Sequence, residues 1–139
     1  WGSVEEMYER FAGRAPFNAW DPAVLRDYCQ YGLLPAPDGI GFVLACPPEI
    51  EAATYAASGG EAIYEQIASV RVPVRVLRAR ERPDGAPMDM SGSPTAPDLA
   101  SHFENAEDVS LPQHSHFIPM EAPALVAEQI RELLGERAE

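Results

Sequence analysis

The chain has 139 residues, 46% of them apolar, enough for one ordinary domain with a modest core. Asp and Glu number 22 against 10 Lys and Arg, and the resulting charge of −12 repels phosphate backbones and anionic headgroups, which excludes nucleic acid and membrane surfaces as natural partners. No 18-residue apolar run and no basic-then-apolar start occurs, so neither a membrane span nor a retained signal peptide is expected.

The sequence begins at Trp1 and carries 14 prolines, about twice the usual share of roughly 5%, and it is expected to be a piece of a longer protein. Cys29 and Cys46 have no CxxC or Cys/His spacing around them. Small buried thiols in a reducing, cytoplasmic setting are the expectation, with a single disulfide left open.

In chain order, Ser3 followed by Glu6 matches a capping box. Val4, Met7, Tyr8 and Phe11 recur at helical spacing up to Gly13, which predicts a first helix. Asp21-Pro22 opens a second helix, with a carboxylate cap and proline in the first turn. Val24, Leu25, Tyr28 and Tyr31 form its apolar face and Gly32 closes it. Residues 33–39 read as a loop with an Asp38-Gly39 turn, and 41–46 as a short run that could be a strand. Helices are expected over 48–57 and, after Ser58-Gly59-Gly60, over 61–69 with Ile63 and Ile67 inward. Phe11, Phe17, Trp20, Tyr28 and Tyr31 read as packing, or as an apolar pocket wall.

Val72-Pro73-Val74-Arg75-Val76-Leu77-Arg78-Ala79 then changes the character of the chain. Its β-branched residues predict a strand over 74–79, with proline placed where a ladder donor can be spared. A long loop over 80–93 holds Asp84 and Asp89. A helix over 95–103 with Pro97 in its first turn, a strand over 107–111 and a terminal helix over 123–134 follow. Val126, Ile130, Leu133 and Leu134 lie on one face of that last helix, and Gly135 ends it. The order is βαβα, which implies two parallel strands joined by a crossover. Parallel sheets need both faces covered and several neighbours, so earlier strands are expected to lie on other sequence.

A histidine in the loop after the last strand sits at the carboxyl edge of such a sheet, where reacting groups gather. Leu111-Pro112-Gln113-His114-Ser115-His116 supplies two. Histidine combines a pKa near neutrality with one ring nitrogen to take a proton and another to be oriented. In extended backbone His114 and His116 would share a side, which also allows a metal pair. No further His, Cys or acidic cluster at ligand spacing supports one.

With the Val-Pro-Val-Arg-Val-Leu-Arg strand upstream and Ser-His-Phe-Ile-Pro-Met-Glu-Ala-Pro downstream, residues 60 to 136 resemble the end of the α/β-hydrolase fold family. The helices before them are similar to the cap that many members insert. The resemblance implies an α/β fold in which 1–70 form a helical cap-like region and 71–139 the terminal βαβα part of the core. It implies that His116 is the triad histidine, His114 being the weaker fit, and that an acid in the loop after the penultimate strand orients it. Asp89, 27 residues before His116, matches the usual separation better than Asp84, whose Asp-Gly pair also suits a turn. The family's glycine-rich turn after that strand is replaced here by Ala79-Arg80-Glu81-Arg82-Pro83. Glu81 reads as a surface residue, Glu121 as a helix-start residue and His102 as solvent-exposed.

No Gly-x-Ser-x-Gly elbow occurs, so the nucleophile and oxyanion donors are absent, and Ser91-Gly92-Ser93 lies in the acid loop rather than at a strand-to-helix turn. The chain alone is therefore expected to be inactive. With its missing half it would act on a small ester-like or other apolar substrate, without a cofactor. The alternative is a non-enzymatic domain, or a homo-oligomer whose subunits complete each other's sheet.

Overall fold

A computed structural model of the chain describes residues 1–57, 63–83 and 92–135. The chain parts into two compact units, Trp1–Glu61 and Ala62–Glu139.

In the first unit, helix α1 (Val4–Ala12) starts where the Ser3 hydroxyl accepts the Glu6 amide at 3.0 Å. The Glu6 carboxylate reaches back one residue further than in the standard box and takes the Gly2 amide at 2.7 Å. Helix α2 (Pro22–Tyr31) is capped by Asp21, whose Oδ1 accepts the Ala23 amide at 2.8 Å. Its buried stripe runs through Leu25 and Cys29, one turn apart, whereas Tyr31 faces solvent. Met7 of α1 completes the aliphatic part of this core.

Around it the aromatic residues pack on one another. Phe11 stacks on Phe17 with ring centroids 4.3 Å apart, and Trp20 stands edge-on to Phe17 at 5.0 Å and to Tyr28 at 5.4 Å. Such offset and edge contacts satisfy the ring quadrupoles and add to the area buried. Cys29 is a buried free thiol and Cys46 an exposed one, so no disulfide joins them and only Cys29 fits the buried expectation.

The segment read as a loop over 33–39 begins as a strand. β1 (Leu33–Pro35) pairs antiparallel with β2 (Phe42–Leu44), Leu33 opposite Leu44 and Pro35 opposite Phe42. Short edge strands tolerate a proline that a central strand would not, which is how Pro35 hid the element. Gly41 (φ 73°) closes the hairpin beneath Trp1, where a Cβ would meet the Trp1 carbonyl oxygen at 2.5 Å. Trp1 exchanges backbone hydrogen bonds with Phe42, its amino terminus donating at 2.9 Å and its carbonyl accepting at 2.8 Å. Helix α3 (Pro48–Ala56) follows, with Ile50 and Tyr55 exposed.

The second unit is built on β3 (Val74–Ala79) and β4 (Ala106–Leu111), which pair in parallel from Val74 opposite Ala106 to Ala79 opposite Leu111. Two arginines brace the pair. Arg75 reaches Glu107 on its cross-strand partner position (2.8 Å) and Glu132 on the last helix (2.7 Å). Arg78 is buried and grips Asp108 through Nε (2.6 Å) and Nη2 (2.8 Å), a bidentate contact along the sheet diagonal.

Helix α4 (Tyr64–Ile67) is shorter than the expected 61–69 element, and Ile63 is 58% exposed rather than inward. The expected helix over 95–103 is a 3-10 turn over Leu99–His102. Proline at position 97 disfavours helical backbone at Ala96, and Ser101 turns its hydroxyl back to the Asp98 carbonyl at 2.7 Å, which leaves too short a run for an α-helix. His102 is half-buried beside the Tyr64 ring, 4.4 Å between centroids, rather than fully exposed. A one-turn helix α5 (Ile118–Glu121) precedes α6 (Pro123–Leu133), which ends at Gly135 with φ 76°. No helix among the described residues is long and apolar enough to cross a membrane.

The Leu25 side chain, 2% exposed, tests how far the first unit depends on its small core. Leu25→Ala is expected to destabilise it by about 2–5 kcal/mol, read as a lower urea midpoint at unchanged slope.

Candidate functional site

β4 ends at Leu111, and the chain turns at once, the His114 amide donating to the Leu111 carbonyl at 3.0 Å. The His114 carbonyl in turn accepts the Arg80 amide at 3.1 Å, which ties the histidine loop to the carboxyl end of β3. The Arg80 carbonyl accepts the Ser93 amide at 2.8 Å. Arg80 thus fixes both the departure of the 80–93 loop and its return. Asp89 and Asp84, the two candidate acids, lie between these points and outside the described residues.

His116 is exposed and borders a cavity of about 170 Å³. Leu77 and Ala79 from the carboxyl half of β3, Ile118 from α5 and Val126 from α6 give the cavity apolar walls. Ser93 and Thr95 add hydroxyls, and the Ser93 Oγ accepts the Thr95 amide at 3.2 Å, a local turn contact rather than a nucleophile elbow. An imidazole, two hydroxyls and an apolar floor can hold a small, mostly apolar molecule by its polar end. Among the described residues no group of three His, Cys, Asp or Glu side chains is placed to hold a metal ion.

His114 has different surroundings. The backbone here is turned rather than extended, and His114 is half-buried with Nδ1 3.1 Å from Glu121 Oε2. The Glu121 carboxylate also accepts the Ser115 amide at 3.1 Å and the buried Ser115 hydroxyl. Burial raises the Glu121 carboxyl, but the Ser115 hydroxyl and amide and the His114 ring outweigh it and hold the group below the usual carboxylate range.

Read from sequence alone, Glu121 has only a helix-start role and Ser115 none. A signal was present: Glu121 is the one charged residue in Phe117-Ile118-Pro119-Met120-Glu121-Ala122-Pro123, and a carboxylate in an apolar run must find donors. Glu81 is exposed, 3.8 Å from the Arg78 Nη1.

Glu121 and Asp108 both titrate below their ordinary values, Asp108 because Arg78 donates to it. For a depressed carboxyl the unfolded chain takes up the proton first, so its contribution is complete above the ordinary range and is lost as pH falls through the folded value. The thermal midpoint is expected to hold from pH 7 to about 5 and to drop below about pH 4. Glu121→Gln should lower the midpoint at pH 7 and flatten the acid limb, and an unchanged acid limb would contradict the carboxylate's assigned contribution.

No family profile matches the chain, and no curated protein matches it. A solved structure does: E-2-(acetamidomethylene)succinate hydrolase, an α/β-hydrolase, superposes with a TM-score of 0.68 at 17% sequence identity. The match covers 97% of this chain and 46% of that one, so the chain spans less than half the length of its structural neighbour. At this identity the likeness speaks for fold: the chain has a mixed α/β fold, parallel strands with helices, matching part of an α/β-hydrolase.

Proposed function

We propose that this chain contributes the histidine and the acid of a hydrolytic triad, with the nucleophile carried by polypeptide outside these 139 residues. His116 is the general base, Asp89 its orienter with Asp84 as the second candidate, and the substrate a small ester-like or otherwise apolar molecule. One observation carries the proposal: His116 is the imidazole bordering the cavity at the carboxyl end of β3, the edge where open parallel sheets gather their reacting groups. The fold shared with a hydrolase supports the reaction class. Residues 1–70 are read as the cap-like region and 71–139 as the terminal part of the catalytic core.

The chemistry follows from the two ring nitrogens. One accepts the nucleophile's proton as it attacks the acyl carbon, while the other stays protonated and faces the acid, which stabilises the imidazolium. The same ring then returns the proton to the leaving group as the tetrahedral intermediate collapses. His114 is committed to Glu121 and does not line the cavity, which makes it the lesser candidate.

A second reading is self-association. Ile130 on α6 is 54% exposed and Leu134, just past its end, 69%, apolar surface that a second copy could cover. A monodisperse dimer in sedimentation equilibrium, inert toward esters even beside a nucleophile-bearing half, would favour it.

Joined to a nucleophile-bearing half, in one chain or as a second polypeptide, the protein is expected to hydrolyse an activated ester. His116→Ala should lower kcat by at least about 10³-fold and His114→Ala by less than about tenfold. Asp89→Asn is expected to fall further than Asp84→Asn. The reverse order for the histidines would sink the assignment.

A further inference from the structure

We propose that Glu121 is the positioning residue of the histidine loop: its carboxylate holds His114 as the Nδ1–H tautomer, clamps Ser115, and so fixes the turn that presents His116. An ionised carboxylate only accepts hydrogen bonds, so each of its partners must donate. The partners are the Ser115 amide, the Ser115 hydroxyl and His114 Nδ1. With Nδ1 protonated, a neutral His114 has Nε2 as its acceptor.

Ser115 Oγ, whose O–H donates to Glu121, accepts the Phe117 amide at 3.3 Å. The two residues that flank His116 are thereby joined to each other, and through Ser115 to the carboxylate. On the other side the His114 carbonyl is held by the Arg80 amide at the end of β3. His116 hangs between these two anchors, with its backbone fixed and little freedom beyond its own side-chain torsions.

Glu121 is placed to do this and not to react. Neither it nor His114 is among the residues that line the cavity beside His116. Its side chain is 9% exposed in an otherwise apolar run, where an acid without donors would protonate or swing out to water. The catalytic consequence rests on His116 being the general base; the clamp itself does not.

The test has two arms. In the full chain, two-bond ¹H–¹⁵N spectra should show His114 protonated at Nδ1, and Glu121→Gln should weaken that preference. The amides of Ser115 and Phe117 should exchange at least about tenfold faster in Glu121→Gln, with those of β3 and β4 unchanged. Ser115→Ala, which leaves Glu121 and His114 in place, should keep the tautomer and lose the Phe117 protection, so an unfolded Glu121 variant leaves the proposal testable. In the ester assay Glu121→Gln should lower kcat about 10- to 100-fold with KM within about twofold, the signature of a misplaced base rather than a lost binding contact. An Nε2–H His114 in the unsubstituted protein, unchanged exchange in Glu121→Gln, or a loss appearing in KM alone would overturn the proposal. Full activity in His116→Ala would instead overturn the hydrolase assignment, with the tautomer and exchange results still standing.

Discussion

The parallel ladder between β3 and β4 is the constraint on which the second unit depends. A parallel pair has slanted hydrogen bonds and is weaker per residue than an antiparallel one, so two strands in isolation need bracing. Arg75 and Arg78 provide it on opposite faces, because residues three apart on a strand alternate sides. Arg75 lies on the face that α6 covers and joins sheet to helix through Glu107 and Glu132. Arg78 lies on the other face and ties β3 to Asp108 of β4. The Asp108 side chain is 32% exposed, which places its pair with Arg78 toward the weaker, solvent-screened end, about 1 kcal/mol. Its geometric effect is larger than its energy. Holding the register from Val74 to Ala79 sets where β4 ends, and therefore where the histidine loop begins.

From that point the loop is governed by hydrogen-bond satisfaction rather than by hydrophobic packing. Past Leu111 the segment to Ser115 has no ladder partner among the described residues, so its polar groups are met one by one: the Leu111 carbonyl by the His114 amide, the His114 carbonyl by the Arg80 amide, the Ser115 amide by Glu121. A loop held this way is defined without a thick core around it. That suits the role proposed for His116, whose imidazole would need to stay accessible: Ser115 is buried and meets the carboxylate, and His116 beside it is exposed.

Much of the fold was legible because its signals are local. Ser3, Asp21 and Gly135 mark helix ends through caps and backbone freedom that act within one turn, and Val74–Ala79 announces itself by β-branched residues behind a proline. The departures are those in which a distant contact or a missing one decides. β1 becomes a strand only because β2 returns to pair with it, and Ile63, hydrophobic and at helical spacing, is the exposed N-cap of a one-turn α4. His116 stood out by its residue type and its place after the last strand. Glu121 did not, because a carboxylate's role is set by the donors that fold around it, and those come from residues 114 and 115 across a turn that spacing does not reveal. Asp84 and Asp89 rest on sequence separation alone, lying outside the described residues.

Helix α6 still has apolar surface to cover. Val126, Ile130 and Leu133 lie together on the face toward β3, where they border a second cavity with Arg75 and Leu77, and Ile130, Leu133 and, just past the helix, Leu134 remain more than a third exposed. A stripe that repeats at three and four residues is the pattern of a helix with a face to bury. A sheet of two parallel strands is likewise a structure with neighbours still to gain. Both features concern the unit that carries His116, and both call for more protein around it. Under the proposed function the physical demand for cover and the chemical demand for a nucleophile point the same way: both would be met by protein built against the surfaces beside His116.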